Sequence, residues 1–469
     1  MLVQVTIENF ISFRDETTFS MLGANSDVSH LAHLAVDVAG KGKSLLPVAA
    51  IYGANAAGKS NLIKAIDFAQ DLIVEGTRSG KAIPVPTFKL GDYSKKPSKF
   101  EFIFTYGNAL YYYGFTFNSG QILEEWLYGV PPNKKREVQY FDRTTSESKE
   151  TKIEYGSILR GKGDKEKQFL EFIAKGTRSN QLFLTEAVDR NVTILMPIVH
   201  WFKRVLTIIP SDPRSIGLEI GILSSEEFTS FLGKFLKFSG TGIDSISVEE
   251  VALDFDAHFP EMPVNMREEL NQQLAESNED SVIMLENMPG KRYLLMKREG
   301  GQLSLMQLKT KHLNDKDQLI EFSIEEESEG TQRLINLIPA LFILKNKSEK
   351  VVLLDELDCR LHPLLSRQFL EFFLQCKTEE SKNQLIFTTH DTNLLDLKLL
   401  SRDEIWLVEK NKQGGSHLYS LAEFKIRPDL KVGKGYLDGR FGAIPFFGDI
   451  STLGWLNCEI ESPAIKVKD

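Results

Sequence analysis

Apolar and polar positions alternate from the start of the chain, so residues 2–7 read as a strand, followed by Asn9-Phe10-Ile11-Ser12-Phe13. Leu45–Tyr52 is an apolar run that fits a buried strand, and it meets Gly53. From Lys59 to Val74, Leu62, Ile63, Ile66, Leu72 and Ile73 fall at helical spacing. Between 98 and 128 three β-rich runs follow (Phe100–Tyr106, Leu110–Phe117, Ile122–Tyr128), with breaks at Gly107-Asn108 and Asn118-Ser119-Gly120. They predict a meander. A charged stretch at 131–167 carries a strand at Thr151–Tyr155, and helical patterns dominate 168–275, including Gln168–Lys175 and Val192–Leu206. Strand-like runs return at Val282–Leu285, Tyr293–Met296 and Leu303–Leu308, with a turn at Pro289-Gly290.

From 319 the pattern is α/β: strands at Leu319–Glu325, Val351–Leu354, Gln384–Thr389 and Ile405–Val408, helices at Thr331–Leu344 and Leu364–Gln375. Two α/β ends flank a mixed middle, which implies one nucleotide-binding core built from both ends of the chain. The expected units are an N-terminal lobe over 1–130, a mixed, largely helical insert over 131–310, and a C-terminal lobe over 311–469.

Gly53-Ala-Asn-Ala-Ala-Gly58-Lys59-Ser60 matches GxxxxGK[ST] between an apolar strand and an amphipathic helix. Glycines let the backbone turn its amides toward phosphate oxygens, and the helix N-terminus adds its positive end. Lys59 is expected on the β/γ-phosphates and the Ser60 hydroxyl on Mg2+. Gly53, Asn55, Gly58, Lys59, Ser60 and Asn61 are the expected ATP-binding residues of this segment.

Val351-Val-Leu-Leu-Asp355-Glu356 is an apolar strand ending in two carboxylates. Alone it reads as a solvated strand end. Beside a phosphate loop, Asp355 reads as a Mg2+ ligand and Glu356 as the group that polarises the attacking water. Leu385-Ile-Phe-Thr-Thr-His390 is a further apolar run with a polar end. His390 is either a structural histidine or, in this context, a switch facing the γ-phosphate. Glu327–Arg333 opens the preceding helix with small residues, which makes either an anion site or an N-cap and glycine turn. Arg14 either approaches phosphate or is a solvated surface arginine.

A net charge of −9 argues against non-specific coating of nucleic acid. The basic segments Lys134-Lys135-Arg136 and Lys162–Lys167 leave local DNA contact open. Cys359, Cys376 and Cys458 lack CxxC company, so neither a disulfide framework nor a zinc site is expected, and a reducing cytoplasm fits. No signal peptide is expected. The richest apolar run, Leu334–Leu344, is broken by Asn336 and Pro339 and is too short for a bilayer. The stripe Leu364, Leu365, Phe369, Phe372, Phe373 reads as core. Tyr111-Tyr112-Tyr113 reads as alternating burial rather than a base platform.

The order phosphate loop, long insert, Ser-x-Gly-x-Gln, hhhhDE and strand-to-His resembles the ABC-type ATPases with their SMC-like and OLD-like branches. IENFISFRDETTFS, GANAAGKSNLIKAI, ESEGTQRLINL, LLDELDCRLHPLL, FTTHDTNLL and YLDGRFGAIPF resemble the bacterial group containing RloA, the AbiL ATPase and the ATPase of the PARIS system. The resemblance implies a P-loop NTPase of ABC/SMC-like type with a mixed sheet, an antiparallel β meander and a helical insert. It also implies a homodimer, or a higher oligomer built on it, in which one subunit's Lys59 and Ser60 share ATP with the next one's Ser328, Gly330 and Gln332. Asp358 falls at the D-loop. Glu329 replaces the usual serine, and no Q-loop glutamine stands out. The functional expectation is a cytoplasmic, slowly hydrolysing sensor or scaffold of an anti-phage, abortive-infection system. A phage protein is its potential trigger. No clear Glu…Asp-x-Asp set follows His390; Asp403, Glu404 and Glu409 read as surface charges. A Toprim-like nuclease effector is therefore expected on a separate chain. The alternatives are a DNA-repair ATPase of SMC/RecF kind, an ATP-binding switch without turnover and, least favoured, a transporter subunit.

Overall fold

The computed structural model describes residues 1–23, 35–37, 44–132, 134–146, 148–160, 164–211, 225–276, 282–286, 292–297, 303–345, 349–378, 381–426 and 431–445. The Pro289-Gly290 turn, Cys458 and part of the Lys162–Lys167 run lie outside them.

The central sheet runs in the order Leu206–Ile209, Val351–Leu354, Gln384–Thr388, Val48–Gly53, Ile405–Lys410, Ser416–Ser420. The first five strands are parallel and the last is antiparallel. Strands covered on both faces carry apolar residues at every position, and here successive residues serve two different cores. Ala49, Ile51, Val351, Leu353, Ile386, Trp406 and Val408 face one core. Val48, Ala50, Tyr52, Val352, Leu354, Leu385 and Phe387 face the other. The first core lies under the helix Lys59–Val74 and a seven-stranded antiparallel sheet. That sheet runs Thr151–Tyr155, Val138–Thr145, Ile122–Val130, Ala109–Phe117, Ser98–Tyr106, Leu2–Glu8, Thr17–Ser20. The second core lies under the helices Glu329–Lys345 and Pro363–Cys376.

Gln384 joins the two sheets. Its side-chain oxygen accepts from the Leu2 amide at 2.6 Å, and its nitrogen donates to Leu2 O and Leu46 O at 3.0 Å each. A fully buried primary amide is tolerated because its bonding capacity is used.

A further sheet runs Ile243–Ala252, Leu303–Leu313, Arg292–Lys297, Val282–Glu286, with Leu319–Ser323 also pairing with Leu303–Leu313. The stretch 168–275 is therefore not helical throughout. Ile243, Ile246, Val248 and Val251 are β-branched and pair across to Leu303–Leu313, which outweighs the weak helical periodicity. The predicted helix Val192–Leu206 divides into short helical turns at Thr193–Leu195, Met196–His200 and Trp201–Val205, and Leu206 then opens the edge strand of the central sheet. The run Leu319–Glu325 stops as a strand at Ser323, where a capping box with Glu326 starts a 3-10 turn.

Asp403 and Glu404 are not surface charges. Both are buried, in a turn where Glu404 accepts from the Ser401 amide at 2.7 Å and the Ser401 hydroxyl donates to Asp403. Glu409 is half-buried and accepts from the Ala443 amide at 3.0 Å. In the stripe from 364 to 373, Phe369 and Phe373 are core but Leu364 is 65% exposed. Tyr111 and Tyr113 are buried and Tyr112 half-buried. Lys134, Lys135 and Arg136 are exposed. Among the described residues no helix is long and apolar enough to cross a membrane.

One ion pair inside the first core is fully enclosed. Arg143 donates to Glu125 at 3.3 Å, and both side chains are 0% exposed. Glu125 also accepts from the Phe183 and Leu184 amides and from the Tyr113 hydroxyl at 2.6, 2.9 and 3.1 Å. Burial pushes the Glu125 carboxyl up, while Arg143 and these donors pull it back. Removing one partner strands a buried charge, which typically costs about 3–5 kcal/mol. Arg143→Met should therefore shift the urea unfolding midpoint strongly downward; an unchanged midpoint would show that the pair is dispensable.

Candidate functional site: a phosphate loop facing an acidic strand end

The strand Val48–Gly53 delivers the loop 54–58 to the helix Lys59–Val74. Two glycines are required by space. A Cβ on Gly53 would lie 2.3 Å from Val408 O, and one on Gly58 would lie 2.3 Å from the Ser416 hydroxyl oxygen, with φ at +124° besides. Ala56 also sits at positive φ. Lys59 is 5% exposed and its ammonium turns onto the loop itself, donating to Gly53 O at 3.0 Å and Ala54 O at 3.3 Å. Burial lowers its pKa, and the nearby carboxylates of Glu356, Asp355 and Asp358 oppose that shift.

The acidic strand end lies directly opposite. Ser60 donates to Asp355 Oδ1 at 3.0 Å, and Thr388 Oγ1 donates to the same oxygen at 2.6 Å. Thr388 also accepts from the Glu356 amide at 2.7 Å. Glu356 itself has φ +52°, an uncommon conformation for a non-glycine residue of the kind that concentrates at functional sites. Arg333 reaches in from the helix Glu329–Lys345 and donates to the carbonyls of Asp355 and Glu356 at 2.9 and 3.0 Å. Ser60 and Asp355 thus offer two hard oxygen donors within hydrogen-bond reach of each other, a set that suits Mg2+.

His390 follows its strand onto the same rim. Its amide donates to both Asp358 oxygens at 3.2 Å. Partial burial, then the Lys59 ammonium, hold the imidazole below its ordinary pKa, while Asp358, Glu356 and Asp355 oppose that shift. His390, Gly53 and Asn55 line a cleft of about 580 Å3 whose far wall is Glu409, Tyr436 and Ala443. Asn55 is exposed at the loop tip.

Asn61 points elsewhere. Its amide donates to the Ser12 hydroxyl at 2.8 Å. The Ser416 hydroxyl donates to Ala57 O at 2.6 Å and lies 2.8 Å from Ser12 Oγ, so three side chains brace the loop from behind. Ser328 and Gln332 bond within their own segment: the Ser328 hydroxyl to Thr331, and Gln332 Nε2 to Glu327 O at 2.8 Å. Gly330 packs under Arg360, where a Cβ would lie 2.8 Å from its carbonyl oxygen. Among the described residues none of these three hydrogen-bonds the phosphate loop of the same chain. Glu329, the unusual carboxylate, faces Arg360 at 3.5 Å. Arg14 pairs with its neighbour Asp15.

Sequence reading missed Thr388, Arg333, Ser12 and Ser416 as parts of the site. Thr388 stands two residues before His390, and Ser12 lies within the N-terminal segment already singled out. Arg333 closes the segment Glu327–Arg333 already singled out, whereas Ser416 carried no local signal.

No curated protein sequence matches the chain. Similar solved structures include an SMC head domain from Thermotoga maritima, 13% identical over 91% of this chain and 99% of that one, with a TM-score of 0.33. An SMC head bound to the C-terminal winged-helix domain of ScpA is 14% identical over 89% and 97%, with a TM-score of 0.38. An SMC head with an extended coiled coil, bound to the C-terminal domain of ScpA derived from Pyrococcus furiosus, is 14% identical over 89% and 96%, with a TM-score of 0.35. The family described as "AAA domain, putative AbiEii toxin, Type IV TA system" matches residues 48–396, which runs from the phosphate-loop strand past His390. The chain belongs to this family of P-loop ATPases.

Proposed function

We propose that the chain binds MgATP between Lys59, Ser60 and Asp355 and hydrolyses it slowly, with Glu356 polarising the attacking water and His390 facing the γ-phosphate. The observation that carries this reading is the Ser60–Asp355 hydrogen bond at 3.0 Å, which joins the phosphate loop to the acidic strand end. Gly53, Asn55 and Gly58 shape the phosphate seat, and Asn61 braces it through Ser12. Mg2+ would supply charge neutralisation to the triphosphate. Lys59 exchanges its present carbonyl partners for phosphate oxygens, which are stronger acceptors.

We infer a head-to-tail homodimer in which Ser328, Gly330 and Gln332 close over the partner's ATP. Glu329, which stands where a serine is usual, faces Arg360 at 3.5 Å, a pairing that partly offsets its negative charge. The setting we favour is that of the RloA, AbiL and PARIS ATPases: a cytoplasmic sensor or scaffold that answers a phage trigger and controls a separately encoded, Toprim-like nuclease. The family description, which names a toxin of a type IV toxin–antitoxin system, supports a defence setting.

Lys59→Ala should weaken binding of a fluorescent ATP analogue roughly a hundredfold, about 3 kcal/mol. Tight binding by that variant would overturn the phosphate-loop assignment. Glu356→Gln should keep its affinity for ATP but release phosphate roughly a hundredfold more slowly, the scale of lost general-base catalysis. With ATP it should elute as a dimer on gel filtration; normal turnover would remove Glu356 from the role of base.

A further inference from the structure

The segment just before Ser328 is gripped by the five-stranded sheet. Thr310 and His312 lie on the strand Leu303–Leu313, and both reach one oxygen of Glu327: Thr310 Oγ1 donates at 2.5 Å and His312 Nε2 lies at 2.6 Å. Thr310 is fully buried, the Glu327 side chain is only 9% exposed, and the Phe322 ring packs edge-on against His312 at 4.9 Å. Hydrogen bonds to a charged acceptor in such surroundings are strong and directional. Five residues on, Gln332 turns back and donates to Glu327 O at 2.8 Å. The next residue, Arg333, is buried and holds the carbonyls of Asp355 and Glu356. Each contact shares a residue, or a peptide bond, with the next. They run unbroken from the middle of one sheet to the acidic strand end of another.

We propose that Thr310, His312 and Glu327 are positioning residues that set turnover at the ATP site by fixing where Ser328–Gln332 and the Asp355–Glu356 strand end stand. None of the three is placed to touch nucleotide. Their effect passes through Gln332 and Arg333, as a supporting shell holds reacting groups within a fraction of an ångström. This inference rests on the MgATP reading above, and its experiment separates the two.

Glu327→Ala, Glu327→Gln and Thr310→Val are compared with wild type and Lys59→Ala for phosphate release, ATP-analogue affinity and amide hydrogen exchange. Glu327→Ala should lower kcat roughly tenfold with KM and affinity within about twofold of wild type, the signature of lost positioning rather than lost binding. Glu327→Gln keeps an acceptor oxygen and should retain most of the activity. Thr310→Val, close to isosteric, should fall between them. Amides of 328–335 and 355–359 should exchange faster in Glu327→Ala than in Glu327→Gln, while those of 48–60 keep wild-type protection. Wild-type turnover in Glu327→Ala, or faster exchange confined to 310–327, overturns the proposal. If wild-type phosphate release does not exceed that of Lys59→Ala, the hydrolysis reading fails instead. Exchange at 355–359 then decides whether the coupling exists.

Discussion

One carboxylate oxygen organises the phosphate-loop face of this protein. Asp355 Oδ1 accepts from Ser60, at the start of the phosphate-loop helix, and from Thr388, at the end of the neighbouring strand. Three parallel strands therefore finish at a common level, and the crevice beyond their carboxyl ends is where open α/β sheets hold ligands. Hydrogen bonds to a charged group contribute about 1.5–3 kcal/mol each, more than neutral ones. Those two bonds fix the spacing between groups that lie 295 and 33 residues apart in sequence. Moving either donor would leave a buried carboxylate short of partners, so the site and the sheet stand or fall together.

Around that point the backbone is held in conformations that it would otherwise avoid. Glu356, Ala56 and Arg360 all sit at positive φ, at a typical cost of about 1–3 kcal/mol each. At Glu356 the surroundings hold the conformation: Thr388 takes its amide, and Arg333 takes its carbonyl. Gly58 needs a different remedy, since the Ser416 side chain occupies the space that a Cβ would need. The loop is thus shaped from two sides, by Ser12 and Ser416 behind it and by the acidic strand end in front.

Much of this was legible in the sequence, for a physical reason. A strand buried on both faces shows as an uninterrupted apolar run, so Val48–Gly53, Val351–Leu354 and Gln384–Thr388 stood out. The amphipathic helix Lys59–Val74 has the bounds that its spacing predicts. The strand Leu206–Ile209 was hidden because it continues an apolar segment whose earlier part is helical. Ile243–Ala252 was hidden because its pairing with Leu303–Leu313, rather than its own periodicity, makes it a strand. Asp403 and Glu404 misled through their charge; a tight capping turn satisfies them inside the fold. A partner such as Ser416 acts across the molecule, and no local pattern marks a residue whose meaning lies in another segment.

The strand order of the central sheet also bears on how the polypeptide is made. Val48–Gly53 sits in the middle of that sheet, yet its neighbours are Gln384–Thr388 and Ile405–Lys410. During ribosomal synthesis the backbone groups along its two edges wait unpaired until the segments around 385–388 and 405–408 have emerged. Such non-local parallel pairing closes slowly, and exposed strand edges invite association between unfinished chains. Cover from the antiparallel layer, whose strands lie between residues 2 and 155 and so emerge earlier, would limit that exposure.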